Sequence, residues 1–136
     1  MPETLIMADP AGYLKHTIAS WALGRDLSAF DPRAIEHYCA TFADQQRVHA
    51  VCEDYRAGWT IDYQIDEADR QAGRKIQCPT LVISGSASKT ADACGQLAIW
   101  QKWAEDVACH TVHSGHFVAE EATEETLALI RPFLFR

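Results

Sequence analysis

The tripeptide Gly115-His116-Phe117 carries the sharpest chemical signal in the chain. An imidazole, with an ordinary pKa of about 6.5, exchanges its proton close to neutrality and serves as a general base. The tripeptide follows a predicted strand and precedes a predicted helix, and in parallel sheets functional groups gather at the carboxyl ends of the strands. An ordinary surface-loop histidine is the competing reading, and three residues do not decide between the two. His110, His113 and His116 recur every third residue, which invites a metal reading. Zinc needs ligands that converge on one point, whereas on an extended segment His110 and His113 face opposite ways and His116 lies further along. No metal and no cofactor are expected. Tyr55, within Glu53-Asp54-Tyr55-Arg56, combines an apolar ring with a hydroxyl donor. It can line a pocket and donate to an anion there, or it can pack on the apolar face of its helix. A nucleophile is missing. Ser86 and Cys94 follow the first predicted strand, but neither lies in a Gly-x-Ser-x-Gly or comparable elbow. Ser84-Gly-Ser-Ala-Ser88 is too sparse in glycine to cradle a phosphate.

The elements that must position these residues divide the chain near Gly58 to Gly73, helical before and alternating strand and helix after. Asp9-Pro10 opens a helix to about Ala22, with Tyr13, Leu14, Thr17, Ile18 and Trp21 at helical spacing and Gly24 as its stop. Asp31-Pro32 repeats the signal ahead of the stripe Ile35, Tyr38, Cys39 and Phe42. Asp44 starts a third helix with Val48, Val51, Cys52 and Tyr55 on one face and Gly58 near its end. A fourth runs from about Thr60 to Ala72, closed by Gly73. Cys78 to Gly85 reads as a strand covered on both faces. A helix from about Asp92 to Glu105, bearing Leu97, Trp100 and Ala104, leads to a second strand over Ala108 to Val112. A last helix spans about Glu121 to Phe135, with Glu121, Glu124 and Glu125 early, Arg131 and Arg136 late, and Pro132 placed to kink or end it. Strand, helix and strand make a right-handed parallel crossover, and two strands alone are too few. The chain is expected to supply the edge of a larger sheet, most of it not encoded here.

Composition narrows the class. The 136 residues include 12 Lys or Arg against 19 Asp or Glu, a net charge of −7, which argues against a nucleic-acid or phosphate surface. With 48% apolar and 23% charged residues the chain reads as an ordinary soluble domain and not a disordered one. It has no bilayer-spanning apolar run and no signal-peptide pattern at its start, so no membrane association and a cytoplasmic location are expected. Cys39, Cys52, Cys78, Cys94 and Cys109 include no Cys-x-x-Cys pair and read as reduced, mostly buried small residues, with Cys39, Cys52 and Cys78 in the core. Trp21, Trp59, Trp100 and Trp103 are expected to supply buried area, Trp59 lying close to Tyr55.

Four segments carry a resemblance. His16 to Pro32 (HTIASWALGRDLSAFDP), Val51 to Asp62 (VCEDYRAGWTID), Gly73 to Pro79 (GRKIQCP) and Gly115 to Glu125 (GHFVAEEATEE) together resemble the haloacetate and fluoroacetate dehalogenases of the α/β-hydrolase superfamily. The likeness runs in order through nearly the whole chain and covers only the carboxyl-terminal portion of such enzymes.

The resemblance implies an α/β fold: a helical cap segment over residues 1–58, then a strand-helix-strand-helix core edge with parallel strands over 59–136. It implies a two-step hydrolysis in which an aspartate displaces halide from carbon and a histidine-activated water cleaves the resulting ester. His116 matches that histidine and Tyr55 the tyrosine that helps bind the departing halide. The family's nucleophilic aspartate, its substrate-binding arginines, its oxyanion-hole loop, its histidine-orienting acid and an early-cap His-Trp pair have no counterpart here. Asp92 is a stand-in for the orienting acid that the resemblance does not favour. The chain alone is therefore expected to be inactive, a truncated hydrolase that takes a small haloacid only when a missing amino-terminal half completes it. Two further expectations stay open. One is epoxide or ester hydrolysis on the same fold. The other is a non-catalytic fragment that pairs its sheet edge with the missing half or with itself as a homo-oligomer.

Overall fold

The computed structural model describes residues 1–87 and 93–135; Ser88, Asp92 and Arg136 lie outside them, as does the side chain of Cys94. Side-chain caps set the helix starts. Asp9 accepts a hydrogen bond from the Gly12 N–H (2.9 Å) and opens α2 (Pro10–Trp21). Asp31 accepts from Arg33 N–H (2.8 Å) ahead of α3 (Pro32–Phe42), and Asp44 from Gln46 N–H (2.8 Å) ahead of α4 (Gln45–Trp59). In each case a carboxylate takes one of the orphan donors of the first turn. A helix the sequence pattern did not announce, α1 (Pro2–Ala8), precedes them; its Pro2 occupies the first helical position, where a missing N–H costs nothing. After α5 (Ile61–Gln71), Gly73 takes φ 67° and its N–H donates to the Arg70 carbonyl (3.2 Å).

The helices share two apolar clusters. Ile18, Ala22, Phe30 and Ile35 join α2 to α3, with Phe117 packed against them from the far end of the chain. Ile6, Val48 and Cys52 join α1 to α4. No residue of α5 is buried, and Ile61 and Ile65 stand more than half exposed on it.

The α/β part holds β1 (Thr80–Gly85), α6 (Ala93–Trp100) and β2 (Val107–Val112). The strands pair in parallel, from Thr80 opposite Val107 to Gly85 opposite Val112, with an isolated bridge between Ile76 and Ala104. Two short helices follow, α7 (Val118–Glu121) and α8 (Thr123–Leu134).

Several expectations are corrected. The strands are not covered on both faces: β1 is half-buried along its length except at Gly85, because among the described residues the pair has no third strand beside it and only α6 on β2 and α7 and α8 on β1 pack against it. The helix before β2 ends at Trp100, where tight turns let the Lys102 N–H reach Ile99 O (3.0 Å) and bring Ala104 to its bridge with Ile76. The last helix is two pieces, broken at Ala122 (φ −136°, ψ 50°), and Pro132 lies inside α8, where it cannot donate the usual bond to the Ala128 carbonyl, with the helix ending two residues later at Leu134. Cys78 is exposed and Cys39 and Cys109 only half-buried; these and Cys52 are free thiols. Trp21 is nearly half exposed and Trp59 is 86% exposed, since helical periodicity marks an apolar face without supplying a cover for it. No described helix is long and apolar enough to cross a membrane.

Candidate active site

The carboxyl ends of the two strands are laced together. Ser86 N–H donates to Val112 O (2.9 Å) and Ala87 N–H to Ser114 O (3.0 Å), so the turn after β1 is bonded to the loop after β2. Close approach makes this possible. A Cβ at Gly85 would overlap the Gly115 carbonyl oxygen and lie 2.7 Å from the Ser114 hydroxyl oxygen. Ser114 is fully buried, its hydroxyl donating to Gly115 O (3.2 Å).

His116 leaves this loop on the side of the helical layer. Its backbone N–H donates to the Trp21 carbonyl at the end of α2 (3.0 Å). Its ring meets the Trp21 ring edge-to-face, centroids 4.9 Å apart, and the Phe117 ring at 5.1 Å. Phe117 in turn lies edge-to-face on Phe30 (5.3 Å), inside the α2–α3 cluster. The imidazole itself remains exposed. A carboxylate that sequence reasoning treated only as a partner of the helix dipole completes the arrangement. Glu121 Oε2 accepts from Leu23 N–H (2.7 Å) and Gly115 N–H (3.1 Å), and its Oε1 accepts from Phe117 N–H (3.0 Å).

Tyr55 stands elsewhere. It is 68% exposed on α4 and borders a cavity of about 580 Å³, together with Ile6, Tyr13, Val51, Arg56 and Trp59. It is therefore not packed in the core. Tyr13 and Trp21 lie eight positions apart on α2, a rise of about 12 Å, so the cavity and the imidazole sit toward opposite ends of that helix. The structure does not bring Tyr55 and His116 into contact. Arg56, beside Tyr55, pairs with Glu3 (2.7 Å) and with Glu53. Glu3's own backbone N–H and the Arg56 guanidinium hold the Glu3 carboxyl down at about 2.

The remaining candidates separate. His110 and His113 are exposed; the backbone N–H of His113 donates to Glu125 (3.2 Å). Among the described residues, the side chains with metal-binding spacing are instead Glu3, His49 and Glu53, where the Arg56 guanidinium already engages both carboxylates. Ser86 is exposed in the turn after β1. Burial pushes the Cys109 thiol up, away from the nucleophilic thiolate form.

No family model matches the chain. A fluoroacetate dehalogenase from Burkholderia sp is 35% identical over 134 residues, 98% of this chain and 43% of that protein. Among solved structures, ALR0039 from Nostoc sp PCC 7120, assigned to the α/β hydrolases, superposes with a TM-score of 0.90 at 42% identity, covering 98% of this chain and 45% of that one. The chain belongs to the α/β hydrolases. It corresponds to the carboxyl-terminal part of that fold, in the branch of the haloacetate and fluoroacetate dehalogenases. A Pseudomonas aeruginosa protein assigned as an epoxide hydrolase is equally well matched in coverage, with a TM-score of 0.87 and 38% identity over 98% of this chain and 44% of that protein. This α/β-hydrolase segment thus spans less than half the length of the relatives it matches.

Proposed function

We propose that this chain supplies the proton-accepting half of a haloacid hydrolase, with His116 as general base and Tyr55 as a donor to the departing halide. Residues 1–58 act as cap and 59–136 as core edge. In the first step an aspartate carboxylate oxygen from the amino-terminal half forms a bond to the substrate carbon as the carbon–halogen bond breaks, and halide leaves with the electron pair. In the second, His116 takes a proton from water as the water oxygen attacks the ester carbonyl. The bond between the carbonyl carbon and the oxygen on the substrate carbon breaks, that oxygen takes up the proton held by His116, the hydroxy acid departs, and the aspartate is restored as its carboxyl releases the second water proton to solvent.

The observation that carries this reading is the placement of His116 at the carboxyl end of a parallel strand, within a chain 35% identical to a fluoroacetate dehalogenase. The exposed stripe on α5 and the half-covered strands suit a chain completed by the half its relatives possess, which also supplies the nucleophile. Halide release from fluoroacetate and chloroacetate is the test, run on the purified chain alone and mixed with the unmatched amino-terminal part of the Burkholderia relative. Release is expected only in the mixture and is expected to vanish with His116→Ala. Release by the chain alone, or release in the mixture that survives His116→Ala, overturns the proposal. A second reading, epoxide opening by the same carboxylate and base, is favoured by the match to the Pseudomonas protein; turnover of an epoxide without halide release in the same mixture would select it.

A further inference from the structure

We propose that Glu121 is the positioning residue for His116: its single carboxylate clamps the backbone on both sides of the histidine to the end of α2. The inference rests on the reading of His116 as the base, and it deepens that reading by saying what aims the imidazole.

Three N–H groups from two distant stretches of chain converge on this carboxylate. Gly115 and Phe117 flank His116 in sequence, and Leu23 lies just beyond α2. A carboxylate offers about four acceptor sites, and hydrogen bonds to it are roughly twice as strong as neutral ones. The Glu121 carboxylate therefore fixes the 114–115 and 116–117 peptide planes, and the plane between them, which carries the His116 N–H, is fixed by the Trp21 carbonyl. With both peptide planes held, the remaining freedom is the side-chain rotation, and the edge-to-face contact with Trp21 limits that. The fit is close: a Cβ at Gly115 would lie 2.5 Å from Leu23 N and 2.6 Å from Trp21 O, so only a glycine lets the loop reach the helix end. Phe117 seats the far side of the loop in the α2–α3 cluster. A glutamate needed only for the helix dipole would have no reason to accept from the backbone of Leu23.

The experiment compares the full chain with Glu121→Gln and Glu121→Ala by amide hydrogen exchange and proton NMR. In the unmodified chain the Leu23, Gly115 and Phe117 amides should exchange slowly, and the His116 ring protons should show a nuclear Overhauser contact and a ring-current shift from Trp21. Glutamine keeps one acceptor oxygen. Placed where Oε2 stands it still serves Leu23 and Gly115, but its NH2 then faces the Phe117 N–H. Glu121→Gln should thus speed exchange at Phe117 selectively, by roughly tenfold to a hundredfold, while Glu121→Ala speeds all three and abolishes the Trp21 shift on His116. A uniform loss of protection along the chain in Glu121→Gln, or an unchanged Trp21–His116 signature in a folded Glu121→Ala, overturns the proposal. So does fast exchange of the three amides in the unmodified chain, a result that stands even where a variant fails to fold. In the mixture with the relative's amino-terminal part, Glu121→Gln should lower kcat about tenfold and leave KM unchanged. If His116→Ala leaves hydrolysis intact there while the NMR pattern holds, the functional reading fails and the clamp survives.

Discussion

A single methyl group added at Gly85 and another at Gly58 are expected to change stability in opposite directions. At Gly85 the new Cβ overlaps the Gly115 carbonyl and crowds Ser114, both rigid parts of a buried loop. Overpacking of this kind costs about 1–3 kcal/mol. Relief by separation of the two strand ends would loosen the Ser86–Val112 and Ala87–Ser114 hydrogen bonds, each worth about 1 kcal/mol net. A total near 3 kcal/mol follows. Gly58 lies inside α4 with nothing within 4 Å of its Cβ position. There the alanine only removes the backbone freedom of glycine, a gain of about 0.5–1 kcal/mol. Urea unfolding followed by tryptophan fluorescence reads both, and with a slope of about 2 kcal/mol per molar the midpoint should fall by about 1.5 M for Gly85→Ala and rise by about 0.4 M for Gly58→Ala. A Gly85→Ala midpoint at or above that of the unmodified chain would refute the packing of β1 against the His116 loop.

Three other outcomes are expected. The Glu3 carboxyl is held at about 2 against an ordinary 4.5, so its contribution to docking α1 on α4 is present above pH 4.5 and is lost as pH falls toward 2. NMR titration should show Arg56→Leu raising the Glu3 midpoint part of the way back, because its own backbone N–H still holds it; an unmoved midpoint would deny the ion pair a role. Asp31→Ala removes the cap of α3 and should cost about 1 kcal/mol in the same urea assay, with no loss counting against the Arg33 N–H bond. In the completed hydrolase, Tyr55→Phe should slow the halide-releasing step by about tenfold to a hundredfold in rapid-quench kinetics, and an unchanged burst would remove Tyr55 from the halide site.

What the sequence revealed and what it hid follow from the range of the forces involved. Caps are local: Asp9, Asp31 and Asp44 each act within three residues, and the helices they open begin where the sequence places them. The apolar run from Leu81 to Ile83 and the position of His116 after β2 were legible for the same reason. Exposure was not. The stripe Val48, Val51, Cys52 and Tyr55 marks one helical face, yet Val48 and Cys52 are buried and Val51 and Tyr55 are not, because burial depends on which neighbour arrives. Glu121 is the clearest case. In the linear chain it is one acid among several in Glu120-Glu121-Ala122-Thr123-Glu124-Glu125, and only its bond to Leu23, 98 residues away, distinguishes it. The break at Ala122, which separates α7 from α8, carries no glycine or proline that would have announced it.

The bare stripe of α5 and the two-strand ribbon also bear on the life of the polypeptide in a cell. Isoleucines and strand edges left open to water attract chaperones, proteases and other sticky chains, so molecules that stay unaccompanied are the ones removed. Steady-state abundance would then track the supply of whatever sheathes these surfaces more closely than it tracks the chain's own rate of synthesis.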